Sequence, residues 1–375
     1  MYSAAAFCST FVFRPFGALI FGWIGDNIGR KSTVIITTFM MAITCVVMAI
    51  IPTYAEKGII ATVLVTVCRM LQGMSSMGEV VGAELYLTEL IKPPAQYPAV
   101  AFMSVAISIG TTVALGTANF IMAMGLNWRF AFILGAGIAL IGSVARTTLR
   151  ETPEFVNAKR RVEQNIKLID IEVDVFKDNP ILHEKVNIKT ILSNFALISV
   201  WPIWFYTTYI YSGNILKTSF GYSAEQIISH NLVVALISAL NAIVLTWLSY
   251  IINPLKILKI RFIIFAIIII PCIYLLYNMT TVTELLVFQL LIIILGPTGF
   301  PAVPILYKHF PVFKRFTCSS FIYALSRAVM YIVTSFGLVY LVEYLGHWGL
   351  LVLITPALIG YYYGRNHFEK LEAAN

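Results

Sequence analysis

Five polar side chains, Arg14, Arg69, Gln72, Glu79 and Arg327, interrupt long stretches that are otherwise apolar. An ionisable group inside a bilayer costs at least about 2.5 kcal/mol on insertion scales, so such groups face a protein interior or a watery cavity and have a partner. The chemistry open to them is narrow. A guanidinium neutralises a carboxylate, on a bound solute or on another helix, and a carboxyl kept from water is suited to taking up and releasing a proton. At about 100° per residue, Arg69, Gln72 and Glu79 fall within an arc of about 80°, with Arg69 and Glu79 roughly 15 Å apart along the axis. They share a face without touching, so Arg69 needs a partner on another helix. Each charge also has a purely structural reading. Glu79 serves equally as a fixed ion pair or a solvated charge near the end of its span, Arg14 as a packing contact beside Pro15 and Gly17, and Arg327 as a fixed pair. Glu84 and Glu89 read as charges at the end of the same span.

A second constellation is Gly22-Trp23-Ile24-Gly25-Asp26-Asn27-Ile28-Gly29-Arg30-Lys31. Gly22 permits close approach of a neighbouring helix, and Gly29 permits a positive backbone angle in a tight turn. Asp26 precedes a helix N-terminus, where negative charge is favoured. Arg30 and Lys31 anchor the turn on one side of a membrane, and a plain turn would need only that last pair. A third is the aromatic run Trp201, Trp204, Tyr206, Tyr209 and Tyr211. It could cage a quaternary ammonium by cation–π attraction, although an interfacial belt is the commoner use of such residues.

The elements that must position these groups follow from composition. Of 375 residues, 59% are hydrophobic and 12% charged, against roughly 25% charged in a soluble domain. Helices of about 20 apolar residues cross a bilayer, and runs bounded by charges, Pro, Gly and Asn suggest eleven: 3–24, 33–51, 59–80, 99–124, 130–149, 190–213, 227–250, 261–278, 285–307, 316–342 and 348–364. Continuous runs such as Phe262 to Ile270 lack the two-residue period of an outer-membrane barrel. The expected fold is an all-α polytopic membrane protein.

With residue 1 outside, 20 of the 26 basic residues fall on inner loops and inner span ends, while only Lys57, Arg129 and Lys217 fall outside. Setting aside the long 146–189 segment leaves eleven against three. The positive-inside rule therefore predicts an outer N-terminus and a cytoplasmic C-terminus. The same placement accounts for the net charge of +8 through anionic lipid headgroups, without a nucleic-acid partner. The one long polar stretch divides the chain into a bundle over 1–149, a linker over 150–189, partly helical around Glu154 to Val173, and a bundle over 190–375.

Cys8, Cys45, Cys68, Cys272 and Cys318 are scattered and form no Cys-x-x-Cys, and the five histidines have no i, i+4 partner, so neither a disulfide framework nor a metal or cofactor site is expected. No Gly-rich phosphate loop, nucleophile elbow or paired-carboxylate motif appears. The expectation is a protein that is not an enzyme.

The Gly-x-x-x-Asp-x-x-Gly-Arg-Lys pattern of residues 22–31 resembles the signature loop between the second and third helices of the major facilitator superfamily. Phe13-Arg14-Pro15-Phe16-Gly17 resembles the Arg-Pro-x-Gly of its metabolite:proton symporter branch, which includes proline/betaine, α-ketoglutarate, citrate and shikimate carriers. Arg69-Met70-Leu71-Gln72-Gly73 followed by Gly78-Glu79-Val80-Val81-Gly82-Ala83 resembles that branch's fourth helix. Trp128-Arg129 and Leu149-Arg150-Glu151-Thr152-Pro153-Glu154-Phe155 resemble the flanks of its sixth.

The resemblance is strong over 11–156 and rests beyond that on helix count and loop polarity. It implies a two-bundle fold, with the first span here matching the family's second helix and no counterpart of its first. The loop that would repeat the signature, Leu248 to Lys256, lacks the acidic residue and the Gly-Arg pair.

By the same resemblance Arg69 and Glu79 serve proton coupling and substrate orientation, together with Arg14, Gln72 and Arg327, while Gly22, Asp26, Gly29, Arg30 and Lys31 form a gating loop. The implied function is secondary transport in a bacterial inner membrane, with proton-coupled uptake of a small zwitterion such as proline or betaine. An organic-acid (dicarboxylate) symporter is the alternative substrate class. A truncated, transport-inactive relative is the reading from another class, favoured by the missing helix and the degraded second loop.

Overall fold

The computed structural model describes residues 10–169 and 184–374. Among these the regular structure is helical, with no strand. α1 (Arg14–Asn27), α2 (Arg30–Ile50), α3 (Ile59–Leu90), α4 (Gln96–Ala123) and α5 (Arg129–Thr147) precede α6 (Pro153–Ile169), the helical start of the polar segment. α7 (Ile188–Thr218), α8 (Ala224–Ile251), α9 (Pro254–Tyr277), α10 (Val282–Leu295), α11 (Val303–Lys308), α12 (Val312–Ile332) and α13 (Gly349–Ala373) follow. α12 runs on through a π turn, Val333–Gly337, and a helical stretch Leu338–Leu345. The expected helicity around Glu154 is present over Pro153–Ile169, and Asp170 to Val173 lie outside the described residues, as do Cys8 and the start of the first span.

α1 to α5 pack on one another, as do α7 to α13, and the two sets meet along α1 with α12 and α4 with α8. The largest apolar core lies mainly in the second set, around Phe265, Phe288, Phe316 and Tyr331, and reaches Val81 and Leu85 of α3 and Val100 of α4. Many outward side chains are also apolar, among them Phe39, Ile43 and Val46 on α2 and Leu240, Val244 and Trp247 on α8. Helices apolar on both faces are those of a membrane span.

The described residues include eight helical stretches long and apolar enough to cross a bilayer, the last of which, Val312–Ala373, contains a bend at Gly346–Trp348. The span expected over 285–307 is broken. α10 is 14 residues long, about 21 Å, well short of the roughly 30 Å hydrocarbon core. It stops because Pro297 and Pro301 carry no N–H and so leave the carbonyls of Ile293 and Pro297 without their helical donors. Side chains from neighbouring helices supply replacements. Arg261 donates to the carbonyls of Gly296 (3.0 Å from Nε) and Ile293 (3.3 Å), and Asn241 also donates to Ile293 (3.1 Å). Trp204 donates to the Pro297 carbonyl at 2.8 Å and Tyr361 to that of Thr298 at 3.0 Å. Non-helical backbone at membrane depth is tolerated where protein satisfies it in this way.

Pro202 has a similar effect inside α7. It deprives the Ile198 carbonyl of its donor, and Arg327 Nη1 approaches that oxygen at 3.5 Å. The helix then widens into a π turn at Tyr206–Tyr211, where Gln289 donates to the Thr208 carbonyl at 2.7 Å and in turn meets His230 at 2.7 Å.

Candidate functional site

Where the two helical sets meet, a cavity of about 180 Å³ is lined by α4, α7, α8, α9, the α10–α11 break and α12. Its walls combine aromatic rings and hydroxyls: Trp201, Phe205 and Tyr209 from α7 and Tyr323 from α12, with Ser104, Ser108 and Thr111 from α4. Arg327 supplies a positive charge, its guanidinium carbon 3.5 Å from the centre of the Tyr323 ring and 5.2 Å from that of Trp201. Its Nη1 donates to Ser326 Oγ at 2.9 Å, while its buried Nε meets no acceptor among the described residues. The cavity thus offers a fixed guanidinium and electron-rich ring faces within one small space, a combination that suits a solute with both an anionic and a cationic end.

Of the five aromatics expected as a cage, Trp201, Trp204 and Tyr209 line the cavity. Tyr206 is not among the lining residues, since it falls about 140° around α7 from Trp201, and Tyr211 hydrogen-bonds His347 at 2.6 Å.

The other expected charges distribute between two places. Arg14 lies against Phe11 (4.2 Å) and within electrostatic reach of Tyr323 and Arg327, beside the cavity. Arg69, Gln72 and Glu79 do share a face of α3, and it points to α2 and α5, not into the cavity. Arg69 approaches Phe132 (5.5 Å) and Gln72 Oε1 (3.5 Å), Gln72 donates to Cys45 Sγ at 3.7 Å, and Glu79 lies within electrostatic reach of Arg146. Glu79 is also not near the end of its span. α3 continues to Leu90, and Glu84 and Glu89, expected as end charges, are 1% and 5% exposed. They are buried because other elements bring them partners. Tyr307 Oη donates to Glu84 Oε2 at 2.7 Å, and Glu89 becomes the centre of an ionic lattice.

That lattice assembles the signature loop. Arg30, 0% exposed, donates to Asp26 Oδ1 (3.0 Å), Glu89 Oε1 (3.1 Å) and the carbonyls of Gly25 (2.6 Å) and Val312 (2.8 Å). Arg315 joins Glu89 (3.2 Å) to Glu154 (2.7 Å), and Thr152 donates to Glu89 at 2.6 Å. Asp26 was expected to favour the helix that follows it in sequence. It instead accepts the N–H groups of Phe316 (3.0 Å) and Thr317 (2.8 Å) in the first turns of α12, 290 residues on, where the helix dipole is positive.

The N-terminus of α2 is capped by Glu151, whose carboxylate accepts from the N–H groups of Arg30 (3.0 Å) and Lys31 (3.3 Å). Gly29, at φ +153°, leaves room for it, since a Cβ there would overlap Glu151 Oε2. Gly22 lets α1 approach α12 closely, because a Cβ would lie 2.7 Å from Thr317 Cα. The five loop residues thus form one structure that joins α1, α2, α3, α6 and α12 at the loop end of the molecule. Sequence reasoning missed Glu89, Glu151, Glu154 and Arg315 as its members. The one available signal was the matched stretch Leu149 to Phe155.

A family model of the Major Facilitator Superfamily matches residues 2–337. The chain is 32% identical over 220 residues to the inner membrane metabolite transport protein YhjE of Escherichia coli, covering 56% of this chain and 47% of that protein. It is 30% identical over 234 residues to the proline/betaine transporter of Salmonella typhimurium, covering 59% of this chain and 45% of that protein. These matches span about half the length of the curated relatives. Among solved structures, the proton:xylose symporter XylE bound to 6-bromo-6-deoxy-D-glucose superposes with a TM-score of 0.74 at 16% identity, over 96% of this chain and 86% of that one. With the signature-loop lattice, the two meeting helical sets and the cavity between them, these matches place the chain in the major facilitator superfamily, as a multi-pass membrane protein of the transporter type.

Proposed function

We propose that this chain performs proton-coupled uptake of a small zwitterionic osmolyte of the proline or betaine kind across a bacterial inner membrane. The observation that carries the reading is Arg327 stacked on Tyr323 beside Trp201 at the wall of the cavity. Its guanidinium takes the solute's carboxylate, and the ring faces of Trp201, Phe205 and Tyr209 take the ammonium. Arg14 adds positive potential beside the same wall. Residues 1–149 and 190–375 act as the rocking units, joined by 150–189, with the signature-loop end on the cytoplasmic side and residue 1 outside. Arg69, Gln72 and Glu79 act from the α2–α5 side of α3 as the coupling face that the resemblance implies. The relatives named as a proline/betaine transporter and a metabolite transport protein support the substrate class at about 30% identity.

A dicarboxylate is favoured by one observation, the proximity of Arg14 to Arg327. Purified full chain in proteoliposomes under an inward proton gradient separates the readings. Labelled proline or glycine betaine accumulates if the proposal holds, the accumulation collapses with uncoupler, and Arg327→Ala lowers it about a hundredfold, as expected for losing a desolvated charge partner. Accumulation of succinate alone overturns the zwitterion in favour of the dicarboxylate. Uptake of none of the three overturns both and favours a transport-inactive relative.

A further inference from the structure

Glu84 lies five residues beyond Glu79 on α3, about 140° around the helix, and this turns it toward α7, α11 and α12 instead of α2 and α5. One carboxylate oxygen, Oε2, accepts from Tyr307 at 2.7 Å. The other, Oε1, is buried and meets no donor among the described residues, where Glu84 also forms no ion pair. A buried carboxylate with one neutral hydrogen bond and no salt bridge is costly, whereas the neutral acid is tolerated. Beside it is a void of about 20 Å³, whose lining includes Glu84, Tyr307, Tyr323 and Arg327. That is enough for one water molecule, which needs roughly 10–15 Å³ on this measure and two or more polar partners. Two orphaned polar atoms, Glu84 Oε1 and Arg327 Nε, belong to residues that border it. Trp201, Phe300, Tyr323 and Arg327 border both this void and the 180 Å³ cavity.

We propose that Glu84 is a proton-binding carboxyl that senses the occupancy of Arg327 across this water-sized void. The inference rests on the transport reading above and assigns the cavity-facing proton site within it. With the cavity empty, the Arg327 charge favours the Glu84 carboxylate. When a solute carboxylate sits on Arg327, that counter-charge is taken up, and an Oε1–H bond forms with a proton drawn from cavity water. When the solute leaves, the bond breaks and the proton returns to water on the side then open. Solute and proton bind together and leave together, and the linkage is reciprocal, which is the thermodynamic content of symport.

The charged and titratable groups around Glu84 are few. α11 presents Tyr307, and α12 presents Tyr323 and Arg327. α7 and the α10–α11 break present Ile198, Trp201, Gly299 and Phe300, which do not titrate. α4 carries no charged side chain. The charges at the loop ends of α1 and α2, Asp26 and Arg30, are engaged in the lattice, and Arg14 lies beyond Tyr323.

The test compares two transport modes and one spectrum on the full chain. In proteoliposomes, Glu84→Gln, which mimics the protonated acid, keeps exchange of labelled for unlabelled proline or betaine within about threefold of the parent and lowers gradient-driven accumulation at least about tenfold. Accumulation equal to the parent's overturns the proposal. So does loss of exchange in both Glu84→Gln and Glu84→Asp, which would make the side chain structural. Infrared difference spectra of the purified protein between acid and alkaline buffer read the site without any solute. A protonated-carboxyl band that Glu84→Gln removes supports the proposal even where no substrate is found, and a spectrum unchanged by Glu84→Gln overturns it even where transport is intact.

Discussion

The loop between α1 and α2 and the loop between α8 and α9 occupy corresponding places in the two helical sets, yet they hold the molecule together by different physics. The first ends in Arg30, whose guanidinium and neighbouring Asp26 bind each other and two further helices, α3 and α12, through charge-assisted hydrogen bonds. The second has Asn253, whose Oδ1 accepts from the N–H of Leu255 at 2.9 Å and so caps its own helix. Lys256 and Lys259 are exposed, and among the described residues no ion pair involves them. The seams beside the two loops differ accordingly. α1 meets α12 through the lattice, whereas α4 and α8, which bury small and apolar side chains such as Ala101, Val105, Ala235 and Ala239, are joined among the described residues by a neutral hydrogen bond from Asn119 to Ser229 Oγ and by no ion pair.

A seam without charge pairs lets helices pivot with little rearrangement of buried charge. A buried ionic lattice has to be broken as a unit before the seam can open. On the transport reading proposed above, the loop end of the α1–α12 seam would act as the latch and the α4–α8 seam as the pivot, and the two loops should respond unequally to substitution. Cys318, half-buried one residue beyond Thr317, is a native reporter of the latch, since opening the seam raises its alkylation rate as read by peptide mass mapping.

The largest effect is expected from Arg30→Ala. It leaves Glu89 and Asp26 buried with their main counter-charge gone, which costs about 3–5 kcal/mol. Cys318 alkylation should rise steeply and the thermal midpoint should fall. If Cys318 stays protected in Arg30→Ala, the latch is elsewhere and the contrast between the two loops fails. Next is Gly22→Val, whose Cβ would lie 2.7 Å from Thr317 Cα. Overpacking of this kind costs about 1–3 kcal/mol. Because it wedges the seam without touching a charge, it should also speed Cys318 alkylation, and unchanged protection would show that the lattice holds the seam without close packing. Asn253→Ala removes only a helix cap, worth about 1 kcal/mol. It should lower the thermal midpoint slightly and leave Cys318 untouched, and an increase in its alkylation would mean that the two loops are coupled after all.

The residues explain why some of this was readable from sequence and some was not. Apolar runs report spans because lipid demands them, and Gly22, Asp26, Gly29, Arg30 and Lys31 lie close enough in the chain to be read as one motif. Glu89 and Arg315 were hidden because their partners come from 59 and 226 residues away, and a charge at a span end looks alike whether solvated or paired. Asp26 was read in the right place with the wrong helix, since sequence adjacency suggested α2 where tertiary packing supplies α12. The break in the span over 285–307 was signalled by Pro297 and Pro301, but apolar residues on both sides concealed it. That the freed carbonyls would be met by Arg261, Trp204 and Tyr361 depends on side chains from three other helices. The face shared by Arg69, Gln72 and Glu79 followed from helical geometry, whereas the direction of that face needed α2 and α5 in place.

The smallest expected effect sharpens the comparison most, because it falls at the edge of the lattice itself. Glu154 pairs with Arg315 at 2.7 Å, but its side chain is 48% exposed, unlike that of Glu89 at 0%. An ion pair open to solvent is worth about 0.2–1 kcal/mol and is screened by salt, so Glu154→Gln should lower the thermal midpoint slightly in dilute buffer. The difference from the parent should vanish at molar salt. Cys318 should remain protected in both buffers, since Arg315 keeps its buried bonds to Glu89 and to the Phe310 carbonyl. A loss of Cys318 protection in Glu154→Gln as large as that in Arg30→Ala would mean that the lattice fails from its exposed rim inward. Its strength would then lie in the number of linked charges and not in the burial of Arg30, and the second loop would be weak for want of any network at all.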